Sequence, residues 1–148
     1  MSSDRVVEIY EIQGRLVFAG MAWWEDFGAW GSTAAVTALL ADADDESIGR
    51  TLRAMFMESA RLPVDSTGAT EKALLKAAGV RSRAALVKSA RYVNATERPD
   101  GSVLLVPSHR NDGDDGWAFA PPEQGLDLAE ATDEELGAAV RKVVELSR

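Results

Sequence analysis

The sequence contains no cysteine and only one histidine among its 148 residues. The first absence excludes disulfides, thiolate metal sites and cysteine nucleophiles together. The second excludes a metal site built on two histidines of one chain. Long apolar runs are missing as well. The stretch from Ala34 to Ala41 is far shorter than the ~20 residues that a bilayer span requires. The start, Met1-Ser-Ser-Asp-Arg5, has no basic stretch leading into an apolar one, so no secretory signal is read and a cytoplasmic protein without membrane association is expected. No G-x-G-x-x-G, G-x-x-x-x-G-K-S/T or G-x-S-x-G pattern occurs. No cofactor is therefore expected.

What is present is acid. The net charge is −8, and it is unevenly spread. Residues 1–49 carry nine acids and two bases, residues 50–91 nine bases and three acids, and residues 92–148 twelve acids and five bases. The basic middle would suit nucleic acid, but the surrounding negative field opposes phosphate binding. A basic protein partner fits the charge better, and direct nucleic-acid binding is not expected. Acidity that serves solubility alone is the plainer reading of the same numbers.

Arg5–Ile12 is rich in β-branched residues and ends at Gly14, which predicts a strand and a turn into a second strand from Arg15 to Ala19. Trp23, Trp24, Phe27 and Trp30, interrupted by Gly28 and Gly31, read as a loop. A loop so rich in aromatics suggests a lid over the core, or a source of anchors at a protein interface, where tryptophan is enriched. Thr70–Ala78 reads as a short helix stopped by Gly79, and Ser82–Ser89 is ambiguous. Tyr92–Thr96 and Ser102–Val106 flank Pro99-Asp100-Gly101 and read as a hairpin. Trp117–Ala120 reads as a short strand.

The most informative pattern is a repeat. The segment from Leu40 to Ser59 aligns with that from Leu128 to Ser147, with eight of twenty positions identical, among them Asp45, Gly49, Arg53 and Ser59. In each copy an N-cap precedes acidic residues and an amphipathic stripe. Thr132 with Glu135 forms a capping box, and Asp44 is the matching cap. The acids sit at the positive end of the helix dipole. Gly49 and Gly137 cost each helix ~1 kcal/mol relative to alanine, which close approach to neighbouring backbone would explain. The expected fold is one α+β domain over 1–148. It holds a mixed or antiparallel sheet with amphipathic helices packed on it, including two similar strand–acidic cap–helix units at about 40–59 and 128–147.

Chemistry is sparse. His109 follows Ser108 and precedes Asp112, which invites a hydrolase reading, but triads are defined by geometry rather than by proximity in sequence. A structural or interface role fits a histidine at a strand end better. Asn111–Gly116 has the look of a calcium loop without the glutamate that should follow. No catalytic constellation and no metal site is read.

Several segments in one order resemble the CdiI family of immunity proteins from contact-dependent growth inhibition systems. They are Ser82–Ser89, Pro99–His109 with its proline and histidine at the strand end, Asp115-Gly-Trp117, and Thr132–Arg141 with glycine and arginine in place. Asp45–Gly49 and Ser59–Arg61 fit as well, although Ala60 separates a serine and an arginine that the family has adjacent. The resemblance covers roughly residues 40–148. It implies a non-enzymatic protein that binds and neutralises a cognate toxin C-terminal domain, often a nuclease, whose basic cleft an acidic surface would suit. The interface candidates are Asp112, Asp114, Asp115, Trp23, Trp24, Trp30 and His109. A monomer or weak homodimer is expected. Two alternatives stay open: a small hydrolase using His109, and a housekeeping binding module without a toxin partner.

Overall fold

The computed structural model describes residues 4–65, 67–110 and 116–148. Strands β1 (Arg5–Ile12), β2 (Arg15–Trp24) and β3 (Ala29–Leu40) come first, followed by helices α1 (Asp45–Arg61), α2 (Ala69–Ala78) and α3 (Arg83–Ser89). Then come β4 (Arg91–Glu97), β5 (Val103–Arg110), β6 (Trp117–Phe119), β7 (Leu126–Leu128) and helix α4 (Asp133–Leu146). The strands form one sheet in the order β3-β2-β1-β4-β5-β6, with β7 beside the first half of β5. Every pairing is antiparallel.

Local chemistry explains the turns and caps. Gln13 and Gly14 both adopt positive φ, 50° and 75°, the combination a two-residue hairpin needs to match strand twist. Asp100 accepts hydrogen bonds from the backbone N–H and hydroxyl of Ser102, at 2.9 and 2.7 Å, which fixes the β4–β5 turn. Asp44 caps α1 through the Ser47 N–H at 2.7 Å, and the Thr132–Glu135 capping box closes in both directions on α4.

Strand alternation divides the apolar residues between two faces. Val7, Ile9, Leu16 and Phe18 face α1 and α4, whose Ile48, Leu52, Phe56, Leu136 and Val140 complete the larger core. Tyr10, Ile12, Val17 and Ala19 face the other way, under Leu74 and Ala78 of α2 and Leu86 of α3.

The repeat is a reciprocal clasp. A Cβ at Gly49 would lie 1.8 Å from the carbonyl oxygen of Asp133, and one at Gly137 would lie 1.7 Å from that of Asp45. Arg53 donates to the Asp133 carboxylate at 2.8 Å and to the carbonyl of Ala131. Its counterpart Arg141 donates to the Asp45 carboxylate at 2.6 Å and to the carbonyls of Ala41 and Ala43. Each helix therefore uses glycine to reach the other's first turn and arginine to tie it there. The close approach that the glycines suggested is the observed one.

Two sequence expectations change, and one open segment is assigned. Trp23, Trp24 and Trp30 are not in a loop; they lie on β2 and β3, and only residues 25–28 turn between them. The β2–β3 hairpin runs past the last β1 partner, Val6 opposite Met21, and the three tryptophans belong to neither of the two core clusters described. Gly31 reads in the sequence as loop punctuation, whereas its role is steric: a Cβ there would sit 2.7 Å from Val64. The ambiguous Ser82–Ser89 segment is helical from Arg83, capped by the Ser82 hydroxyl.

Candidate functional site

The projecting hairpin is the feature with the clearest capacity for recognition. Its ladder shifts between Ala19 and Met21, where β3 carries extra residues. Thr33 absorbs the irregularity: its hydroxyl donates to the Gly20 carbonyl at 3.0 Å and accepts from the Ala35 N–H at 3.1 Å. Such a bulge bends the hairpin and re-aims its end. Residues 64 and 65 brace the outer edge through the Thr33–Val64 bridge and the Asp65 N–H to the Ser32 carbonyl at 2.7 Å.

At the tip, Trp23 and Trp30 pair across the ladder with ring centroids 5.7 Å apart, nearly perpendicular. Trp24 meets Phe27 edge-on at 4.2 Å. The three indoles are half-buried, and Phe27 is 69% exposed. Glu25 and Asp26 are exposed between them. Beside the tip lies a cleft of about 550 Å³ lined by Arg5, Met21, Trp23, Trp30, Leu62 and Val64. The hairpin thus brings together the three tryptophans expected from sequence, and adds Phe27 with two acids.

His109 belongs elsewhere. It is exposed on β5 opposite Ala118, beside a separate cleft with Pro107, Gln124 and Leu146. Ser108, its neighbour, borders the same cleft. The Ser108 hydroxyl is buried and donates to the Tyr92 carbonyl at 2.5 Å. That geometry does not assemble the serine and histidine into a hydrolytic pair. Asp112, Asp114 and Asp115, together with the loop compared to a calcium site, lie outside the described residues.

A second polar cluster escaped the sequence reading. Glu8, on the central strand β1, accepts the hydroxyl of Tyr10 at 3.1 Å and that of Tyr92. The two tyrosine rings stack at 4.9 Å, and Trp117 leans on both. Burial pushes the Glu8 carboxyl above its ordinary value, against the opposing pull of the two hydroxyls and of Arg83. Burial, and then the neighbouring Glu8 charge, push both tyrosine hydroxyls up as well. Among the described residues, the buried indole nitrogen of Trp117 finds no hydrogen-bond partner. The signal available in the sequence was a carboxylate in the row Val6, Glu8, Tyr10, Ile12, whose other members are apolar or aromatic.

Among the described residues, no helix is long and apolar enough to cross a membrane. No curated protein sequence matches the chain. Solved structures that share its fold include the following two. One is a Neisseria meningitidis protein of unknown function, with TM-score 0.74 and 17% identity over 100% of this chain and 98% of that one. The other comes from a CdiA-CT/CdiI toxin and immunity complex of Yersinia pseudotuberculosis, with TM-score 0.74 and 11% identity over 99% of this chain and 98% of that one. The family model of CdiI, the CDI immunity protein, matches residues 32–147, a segment that holds both copies of the clasp. The chain therefore belongs to the CdiI family of immunity proteins.

Proposed function

We propose that this protein neutralises a cognate toxin by binding its C-terminal domain and covering the active site or substrate surface, and that the toxin is a basic nuclease. The observation that carries this reading is the tip of the β2–β3 hairpin. Two tryptophan-containing aromatic pairs, one of them including the exposed Phe27, flank Glu25 and Asp26 there. Buried aromatics dominate binding energy at protein interfaces, and surrounding acids select a cationic partner and steer its approach. The net charge of −8 extends that steering over the whole molecule. The complex containing the Yersinia pseudotuberculosis relative supports the same class of partner. The protein acts by occupancy, without chemistry of its own, in keeping with a buried Ser108 hydroxyl that donates to the Tyr92 carbonyl rather than to His109.

Co-expression with a cognate C-terminal toxin domain tests this. Growth rescue with a stable co-purified complex is the expected result. Phe27→Ala and the double change Glu25→Lys with Asp26→Lys should leave the thermal midpoint unchanged, since these side chains are exposed. They should weaken the complex by ~10-fold or more. Rescue without a complex, or full affinity in all these variants, would refute the reading.

A further inference from the structure

We infer that Glu8 is a preorganised acceptor for an arginine guanidinium of a protein partner. Glu8 is half-buried on the central strand, with its Oε2 held by two tyrosine hydroxyls. The stack of Tyr10 on Tyr92, 9° from parallel, fixes those hydroxyls and hence the carboxylate. Across the ladder its neighbours are Ala19 and Asn94, one small and the other neutral, so the strands beside it supply no counter-charge. Tyr92, Trp117 and the half-exposed Phe119 give the site aromatic walls. Guanidinium groups stack on such rings while forking to a carboxylate.

The nearest cation is Arg83 of α3, which acts electrostatically on Glu8 and also on the Tyr10 hydroxyl beside it. Its guanidinium lies 5.8 Å from the Trp117 ring and 4.0 Å from Glu71, both contacts at the outer limit of their kind. Among the described residues it makes no hydrogen bond to Glu8. An acid kept half-buried with hydroxyl donors but no tight ion pair loses solvation that a glutamine would not lose. Stability alone does not explain the charge, whereas recognition of a cation does. Arg83 marks how an arginine approaches these rings, and it competes for the same carboxylate.

The inference relies on the toxin reading only for the identity of the partner, so its test uses a small probe. N-acetyl-arginine amide is titrated into the intact protein, with N-acetyl-citrulline amide as the neutral analogue. The ring resonances of Tyr10 and Tyr92 and the Trp117 indole N–H are followed by NMR. Saturable shifts with a millimolar Kd are expected for arginine, with binding ~10-fold weaker or absent for citrulline and in Glu8→Gln. Arg83→Gln should bind the arginine probe as well as or better than the parent protein. The inference is overturned by equal binding of citrulline, by full binding in Glu8→Gln, by loss of binding in Arg83→Gln, or by no saturable shift below ~50 mM. A thermal midpoint for Glu8→Gln at or above that of the parent verifies folding. Probe binding without growth rescue would refute the toxin proposal and leave this site standing, and rescue without probe binding would do the reverse.

Discussion

Replacing Gly49 by alanine puts two effects in opposition. Alanine favours an exposed helix interior by ~1 kcal/mol over glycine. Here, however, the new methyl would begin 1.8 Å from the Asp133 carbonyl oxygen, and the obstacle is backbone at the first turn of another helix. A normal contact requires the helices to separate by well over an ångström. Such a shift stretches the Arg53–Asp133 bond of 2.8 Å and the Arg141–Asp45 bond of 2.6 Å, because both cross the same junction. It also loosens Ile48, Leu52, Leu136 and Val140, all fully buried. Overpacking of this kind costs ~1–3 kcal/mol and more when backbone must move, so a net loss of ~3 kcal/mol is expected. For a chain of this size that corresponds to a thermal midpoint lower by ~6–12 °C. Gly137→Ala should behave alike, since its methyl would meet the Asp45 carbonyl at 1.7 Å. The double variant should lose less than the sum of the two, because the first separation makes room for the second methyl. Urea and thermal unfolding of all three proteins measure this. A neutral or stabilising Gly49→Ala, as helix propensity alone dictates, would refute the clasp as a steric constraint.

Other outcomes follow from the same geometry. Arg141→Ala should cost ~2 kcal/mol by removing hydrogen bonds to Asp45, Ala41 and Ala43, and Arg141→Lys should recover only part of that, as a double-mutant cycle with Asp45→Ala would show. The hydroxyls and then the amides of Thr67 and Thr70 hold the Asp65 carboxyl well below the usual carboxylate range. Its stabilisation is therefore complete above the unfolded value of ~3.9 and disappears as pH falls through the lower folded value. Asp65→Asn should lower the urea midpoint near neutrality, with the deficit shrinking between about pH 5 and pH 2, and a deficit independent of pH would contradict this. Glu8 carries the opposite sign: its folded value is raised, so its ionisation weakens the fold above the unfolded value, and Glu8→Gln should be the more stable protein near neutrality. His109→Ala should leave growth protection intact, while Ser108→Ala should cost ~1–2 kcal/mol through loss of a buried hydrogen bond to Tyr92. Loss of protection with the complex intact in the folded histidine variant would revive an enzymatic role, whereas loss of the complex would place His109 in the interface.

The parts of the fold written in short-range chemistry were readable from the sequence. Asp44 and Thr132 announced their helices, Asp100-Gly101 its hairpin, and the 40–59 and 128–147 repeat the paired units. The glycines at 49 and 137 even signalled close backbone approach, although not that each helix would meet the other copy's first turn. What escaped depended on partners distant in sequence. Gly31 stands where it does because Val64 packs against it, and Gly20 because Ser59 does. Taken as punctuation, Gly28 and Gly31 broke two strands into a loop. The tryptophans were identified as candidate anchors, but their arrangement at a projecting end required the bulge at Thr33 and the limited length of β1. Glu8 looked like an ordinary polar position in a strand. Tyr92, 84 residues later, gives it a different character.

The clasp also bears on the order of events during synthesis. Residues 45 and 133 are translated 88 positions apart, and the inward face of α1 has no helical neighbour until α4 leaves the ribosome. At ~5–20 residues per second, the nascent chain spends several seconds with Leu52 and Phe56 lacking half their packing. Protease challenge of chains stalled before and after position 146 should show protection arriving late and all at once. A cell meeting its own toxin would then be guarded by finished molecules alone, and a standing stock of this protein would matter more than its rate of manufacture.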